Sequence, residues 1–442
     1  VEPRDLIVAP VIIILIYIVA YLIRPRVTDA TTRRYFIPAL SARMLGAIAL
    51  GLIYHFYYQG GDTFNYHTHG SRIIYQAFID SSWSGLKLMF GSDRFDPSLW
   101  EYTRSIWYIR DAQSFFIIRM AAIFDLLTFS SYLGTALIFS VLSFIGGWML
   151  FQTFYAIRPD SHRWAAISCL FIPSVIFWGS GILKDTVSVA FLFMATYYFY
   201  RLAFQRRLTL LNFAGFFVSL FFIYSVKKYI LICFIAAAMV WFFAQFLVRV
   251  RSIIARILMV PVVALLCVTL AYFSINMVVE EDSRYALDKI AITSKITAYD
   301  IRYGWGKDAG TGYSLGELDG SFGTMLRLAP AAINVSLFRP YLWEVKNPLM
   351  MLSALESLFV LIGTLYLLLR LRNRIFKSFS PEVTFCLTFA LIFAFGVGIS
   401  TYNFGTLARY KIPMMPFYVM ALGMMLEFVN IPQKRSALPE TE

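Results

Sequence analysis

The stretch that decides the reading is Tyr57-Tyr58-Gln59-Gly60-Gly61-Asp62-Thr63-Phe64-Asn65-Tyr66-His67-Thr68-His69, which follows directly on the apolar run Leu45 to Phe56. The run is long enough to end a membrane helix, and the segment after it places a carboxylate and two imidazoles where that helix should surface. Gly60 and Gly61 allow a sharp turn and a close approach of backbone to a ligand. Ionisable side chains at a membrane boundary are costly and mark function by default. The chain therefore reads as a membrane protein with chemistry at one face.

Composition extends this reading outward. Of 442 residues, 59% are hydrophobic and 18% aromatic, with only 15% charged, whereas a soluble domain carries about 25% charged residues. Apolar stretches of about 17–25 residues can cross the roughly 30 Å hydrocarbon core, and they must do so as helices because lipid offers the backbone no partners. Spans are expected near 6–23, 36–58, 135–155, 165–180, 186–204, 210–225, 229–248, 257–278, 348–369, 384–401 and 413–429. The predicted fold is thus an all-α polytopic membrane protein, residues 1–442 forming one integral membrane domain of about eleven transmembrane helices. Basic clusters (Arg24 to Arg34, Arg158 and Arg163, Arg201 to Arg207, Arg249 to Arg256, Arg370 to Lys377, Lys434 and Arg435) fall in alternate loops. The positive-inside rule puts those loops in the cytoplasm, the N-terminus outside and the C-terminus inside. Topology accounts for most of the net charge of +13, so nucleic acid is not an expected partner. The four cysteines, Cys169, Cys233, Cys267 and Cys386, lie within predicted spans without CxxC spacing and read as small core residues.

Two extracytoplasmic loops are long. Residues 59–134 contain amphipathic stretches suited to helices lying along the interface, and residues 279–347 are rich in glycine, as suits a loop that reshapes around a ligand. Both are expected to carry interfacial helices. No internal repeat appears, which argues against an inverted-repeat transporter.

Asp62 is the first catalytic candidate, a general base or metal ligand, with a helix-capping aspartate as the plainer alternative. His67 is a rival base. His67 and His69 would share a face, and a divalent cation, on a strand, but on a helix their rings would diverge by about 200°. No metal site or cofactor is firmly implied. Asp96 and Asp185 are further acids. Cations recur on the predicted outer face: Arg119 in an apolar interfacial stretch, Lys184 beside Asp185, the pair Lys227-Lys228, Arg339 ahead of Trp343-Glu344, and Arg409 and Lys411 around Tyr410. Such a set suits phosphate or pyrophosphate, with membrane lipids as the plainer partner. Arg43 and Glu356 stand inside predicted spans, where a charge requires a partner or a polar cavity.

This layout resembles the GT-C glycosyltransferases, polytopic enzymes that take a sugar from a polyprenyl-phosphate carrier. The resemblance rests on Asp62 after an early span with Tyr66 following, Arg119 before the next span, Trp178-Gly179-Ser180-Gly181-Ile182-Leu183-Lys184-Asp185, the Lys227-Lys228 tip, and Arg409-Tyr410-Lys411-Ile412-Pro413-Met414-Met415-Pro416. It covers residues 40 to 429 as a layout, with sparse identities. Thr63 stands where many relatives have a second acid, so that acid must come from elsewhere, with Asp96 and Asp185 as the candidates. The resemblance implies transfer of a sugar from a polyprenyl-phosphate-linked donor to a glycan, lipid or protein acceptor hydroxyl, with Asp62 as base. Lys184, Lys227, Lys228, Arg119, Arg339, Arg409 and Lys411 would hold the carrier phosphate, and Tyr66, Trp343, Glu344 and Tyr410 would lie along the substrate. It also implies a bacterial inner membrane. The alternatives are a polysaccharide polymerase or ligase acting on lipid-linked oligosaccharides, a lipid-glycan transporter, and a non-enzymatic subunit of an envelope complex.

Overall fold

The computed structural model describes residues 2–250, 289–303 and 310–436. The described residues form helices joined by short connections, with no strand beyond an isolated bridge between Gly312 and Asn403. Among the described residues, six helices are long and apolar enough to cross a membrane: Pro3–Val27, Arg33–Phe56, Tyr132–Ile157, Lys228–Arg249, Pro348–Leu371 and Pro381–Thr401. Large apolar side chains stay exposed on several helices, Leu6, Leu210 and Phe359 among them, as a surface facing hydrocarbon would have. The span expected near 257–278, Cys267 within it, and part of the glycine-rich loop lie outside the described residues.

The helices pack in two compact units, Val1–Ile157 with Cys169–Lys228 and Arg158–Ser168 with Tyr229–Glu442. In the first unit the order is α1 (Pro3–Val27), α2 (Arg33–Phe56), α3 (Asp62–Tyr66), a π-helical turn (His67–Ser71), α4 (Arg72–Asp80), α5 (Ser82–Phe90), α6 (Trp100–Thr103), α7 (Ala112–Thr128) and α8 (Tyr132–Ile157). After the linking helix α9 (His162–Leu170) come α10 (Pro173–Trp178), α11 (Lys184–Ala203) and α12 (Leu210–Val226). α8 is the centre of this unit and packs against α11 and α2. A Cβ at Gly146 would lie 2.5 Å from the Ala190 carbonyl oxygen, so only glycine permits this crossing of α8 and α11.

One expected span is not a single helix. The 165–180 stretch breaks at Phe171 and Ile172, with Pro173 opening α10. The residue before a proline is pushed out of the helical region, and Ile172 is extended, with φ −68° and ψ 122°. Arg43, inside α2, is 1% exposed and donates through Nη1 to the Val175 carbonyl at 2.5 Å, tying α2 to α10.

The second unit contains α13 (Lys228–Arg249), α14 (Ile290–Tyr303), α15 (Phe322–Arg327), α16 (Ala329–Phe338), α17 (Pro348–Leu371), α18 (Pro381–Thr401), α19 (Phe404–Tyr410) and α20 (Met415–Ser436). Its core is aromatic: Trp241 stacks on Phe385 with centroids 4.4 Å apart, and Phe389 packs on Phe417 at 4.7 Å. A Cβ at Gly398 would lie 2.1 Å from the Ala332 carbonyl oxygen, which sets α16 directly against α18. Helices thus occupy much of the described part of 279–347.

Candidate functional site

The turn after α2 is built as its glycines require. Gln59, Gly60 and Gly61 take φ values of 55°, 139° and 115°, and the Gly60 amide donates to the Tyr54 carbonyl at 3.0 Å. A side chain at Gly61 would be strained by that backbone and would meet the Tyr54 ring at 2.9 Å. Gly61 is the cap of α3, and Asp62 is its first helical residue. The Tyr108 hydroxyl donates to Asp62 Oδ1 at 3.0 Å and itself accepts from Asn65 Nδ2 at 3.1 Å. Tyr66, fully enclosed, packs its ring 5.3 Å from that of Tyr108. A half-buried carboxylate is thereby oriented by the Tyr108 hydroxyl, with charged side chains in its neighbourhood.

Those charges come from α7, α11 and the end of α12. Asp111 caps α7, accepting from the Gln113 amide at 3.2 Å and the Ser114 hydroxyl at 2.6 Å. Its Oδ2 also lies 2.7 Å from Lys184 Nζ. Burial works against ionisation of Asp111, but Lys184 and the Ser114 and Gln113 hydrogen bonds hold its carboxyl below the ordinary carboxylate value. Burial also lowers the Lys184 ammonium, Lys227 adds to that effect, and Asp111 and Asp62 oppose it. Lys184 thus stands in the field of Asp111, Lys227 and Asp62 together. Lys227 Nζ in turn lies 2.5 Å from Asp185 Oδ1, in a pair whose side chains are 8% and 0% exposed. Tyr54 packs its ring 6.4 Å from Trp178 and 5.2 Å from Tyr58, giving the cluster an aromatic flank. Asp62, Lys184, Asp185 and Lys227, far apart in sequence, therefore belong to one neighbourhood.

Asp111, Tyr108 and Asn65 were not among the expected site residues. Asp111 followed three positions later by Ser114, ahead of an apolar run, is legible as a helix start. That the same carboxylate meets Lys184, 73 positions on, is decided by packing.

Other expected residues stand elsewhere. His67 is fully buried, 3.5 Å from Asp125 Oδ1 and edge-on to Tyr132, so the role of an accessible alternative base does not fit its position. His69 instead stacks on Trp107 with centroids 4.3 Å apart, and the two imidazoles diverge. Among the described residues no three His, Cys, Asp or Glu side chains converge on a metal position. Asp96 caps the turn at Pro97–Leu99, accepting from the Ser98 amide and hydroxyl at 2.8 and 2.7 Å and pairing with Lys87 at 3.3 Å. It serves that turn and not Asp62. Arg119 lies over the Phe115 ring at 4.6 Å and donates to the carbonyls of Leu88 at 2.9 Å and Gly91 at 2.5 Å. Its guanidinium holds the end of α5, a structural use the sequence did not suggest. Lys228 lies 4.7 Å over the Tyr224 ring.

The second unit gathers its own set. Arg339 Nε is 3.1 and 3.0 Å from the two Glu344 oxygens, and the Tyr341 amide donates to Glu344 at 2.8 Å. The guanidinium lies over Phe404 at 5.2 Å and over Tyr313 and Tyr341 at 5.8 Å. Glu344 holds Arg339 above its ordinary value; Glu344 itself, raised by burial, is brought below its own by Arg339 and the Tyr341 amide. Lys411, fully buried, donates to Ser357 Oγ at 2.9 Å and is lowered by burial, with Glu356 opposing. Glu356, inside a span, thus lies in the field of Lys411. Arg409 lies 6.0 Å over the ring of Tyr410, and Trp343, 81% exposed, stacks on Tyr341 at 4.8 Å. No family model, curated protein or solved structure matches the chain.

Proposed function

We propose that this chain is a membrane glycosyltransferase of the GT-C kind that moves a sugar from a polyprenyl-phosphate carrier to an acceptor hydroxyl. The observation that carries the proposal is the grouping of Asp62 with the Lys184–Asp111 and Lys227–Asp185 pairs. Asp62 accepts the proton of the acceptor hydroxyl as its oxygen bonds to the anomeric carbon. The bond from that carbon to the carrier phosphate breaks, and its electron pair leaves on the phosphate. Positive charge develops on the sugar ring, as in other glycosyl transfers, and negative charge grows on the departing phosphate. Lys184 and Lys227 offset the latter in a site that excludes much of the water. Asp111 matters because burial lowers the Lys184 ammonium and the Asp111 carboxylate opposes that.

In this reading the six long apolar helices are part of about eleven spans, with α12 and Met415–Phe428 among the shorter ones. The N-terminus is outside, the C-terminus cytoplasmic and the host membrane a bacterial inner membrane. The test is turnover of polyprenyl-phosphate sugars by purified protein in nanodiscs, wild type beside Asp62→Asn. Sugar transfer or slow donor hydrolysis in the wild type, lost in Asp62→Asn with carrier binding retained, is the expected result. Equal turnover in both proteins would remove Asp62 as base, and binding without turnover in either would favour a transport or subunit role.

A further inference from the structure

The first unit carries two cavities that the charged cluster does not use. The larger, about 700 Å³, is an apolar groove with Ile12, Val19 and Val27 of α1 on one side and Leu40 of α2 and Val141 and Trp148 of α8 on the other. From Ile12 to Val27 the helix rises about 22 Å at 1.5 Å per residue, much of the roughly 30 Å hydrocarbon thickness. α1 is the least enclosed of the long apolar helices, with 11% of its most apolar window buried, so the groove stays open beside it.

The smaller cavity, about 320 Å³, is polar and is lined by Arg4, Arg72, Tyr75, Gln76, Ile79 and Asp80. It lies at the N-terminal end of the same helix: Arg4 is eight residues before Ile12, or about 12 Å along the axis. Both cavities border the corner between α7 and α8. Arg4 Nη1 donates to the Phe129 carbonyl at 3.2 Å and Arg72 Nε to the Ser130 hydroxyl at 3.4 Å, while Leu127 just before them lines the groove. Asp5 pins α1 to this corner by accepting from Ser131 Oγ at 2.7 Å and the Leu133 amide at 3.2 Å. Glu2, 3.0 Å from Arg4 and 2.6 Å from Arg72, holds the two guanidiniums side by side. Asp80, exposed at the pocket, accepts from the Tyr102 hydroxyl at 3.1 Å.

We propose that the two cavities form one phospholipid site, occupied by a lipid of the phosphatidylethanolamine type. Its phosphate sits on Arg4 and Arg72, its primary ammonium at Asp80, and an acyl chain runs down the groove. The charge pattern selects this headgroup. Two guanidiniums with Glu2 and Asp80 make the pocket neutral overall but internally polar, the complement of a zwitterion. A phosphate suits the arginines in bidentate geometry. A primary ammonium offers three donors, and Asp80 accepts them; a choline offers none, and an anionic headgroup lacking an amine leaves Asp80 facing like charge. The inference rests on the membrane-spanning part of the proposed function and not on sugar transfer.

The test uses the full chain reconstituted in nanodiscs of equimolar phosphatidylethanolamine, phosphatidylcholine and phosphatidylglycerol, then read by native mass spectrometry. One phosphatidylethanolamine retained about tenfold or more over the other two is expected from a single charge-assisted contact. Asp80→Asn should erase the preference for the amine while phospholipid is still retained. Arg4→Gln and Val19→Trp, which remove a phosphate donor and fill the groove, should lower retention of every lipid. Arg4 and Asp80 are exposed enough that both variants should fold, and thermal unfolding checks this. Equal retention of the three lipids, a preference that survives Asp80→Asn, or displacement of the lipid by added polyprenyl phosphate would each overturn the assignment. Turnover measured alongside separates the two proposals: lipid selectivity without turnover would sink the transfer reaction and leave this site standing.

Discussion

The charged cluster of the first unit is led by a carboxylate, and that of the second by cations. Asp62 is half-buried and held by a phenol and, through it, an amide, both neutral groups. Arg339 is instead committed to both oxygens of Glu344 and covered by three aromatic rings, while Lys411 is sealed against Ser357. A carboxylate that accepts one phenol hydrogen bond has further acceptor sites. A guanidinium in a bidentate pair has spent its best donors. Under the proposed function, this contrast favours the first unit for proton transfer and the second for binding.

The largest effect that could break this contrast is on rate. Asp62→Asn should lower turnover by about 10²–10⁴-fold, the usual worth of general-base help. A similar loss from Glu344→Gln would place proton transfer in the second unit. Next comes Asp185→Asn, which strands Lys227 at 8% exposure without its carboxylate. Breaking such a pair costs about 3–5 kcal/mol, to be seen as a fall in unfolding temperature in nanodiscs. The double change to Asp185→Leu with Lys227→Met should recover most of it while still losing turnover. Equal damage from the single and double changes would show that the pair is not electrostatically coupled.

The pH dependence sharpens the comparison further. Lys184 has a folded value below the ordinary lysine value of 10.5, chiefly through burial. The unfolded chain therefore binds more protons in the window between the two values, and this residue's contribution to stability rises as pH rises through it. Activity should move the opposite way, with an alkaline limb set by loss of the Lys184 proton. Lys184→Arg should shift that limb upward, and an unmoved limb would exclude Lys184. Glu344 has the reverse sign: its lowered value gives stability that is present above the unfolded value and lost as pH falls through the folded one. Glu344→Gln should therefore cost about 1 kcal/mol at neutral pH and nothing in acid, measured by unfolding at both. The smallest effect is expected from Asp96→Asn, which should leave turnover unchanged, because that side chain serves the turn at Pro97–Leu99. Loss of turnover there would return Asp96 to the list of acids.

Much of the helical content was legible because a 20-residue apolar run has few other solutions. α1, α2, α8, α13, α17 and α18 fall within a few residues of the expected spans. The break at Ile172-Pro173 carried a visible signal, but continuous hydropathy across 165–180 hid it. α16 is a ten-residue apolar helix inside the glycine-rich segment, where interfacial helices were expected but their bounds were not readable. At the site, the Gly60-Gly61 turn and Asp62 were readable, since positive φ calls for glycine and a lone acid at a helix end stands out. His67 was misleading for the same reason. A rare polar residue draws notice, yet only packing shows that it is buried against Asp125.

The sequence by itself determined an all-helical chain with long apolar helices, a tight turn opening on Asp62 and cations gathered at helix ends. These follow from local chemistry: hydropathy, backbone freedom and charge at a boundary. Only the tertiary structure decided that Asp111 meets Lys184, that Asp185 meets Lys227, and that Asp96 and His67 stand apart. Such pairings join residues 73 and 42 positions apart, and no local preference encodes them. They arise where helix packing brings two charges out of water together, and the energy of that burial belongs to the pair and not to either residue.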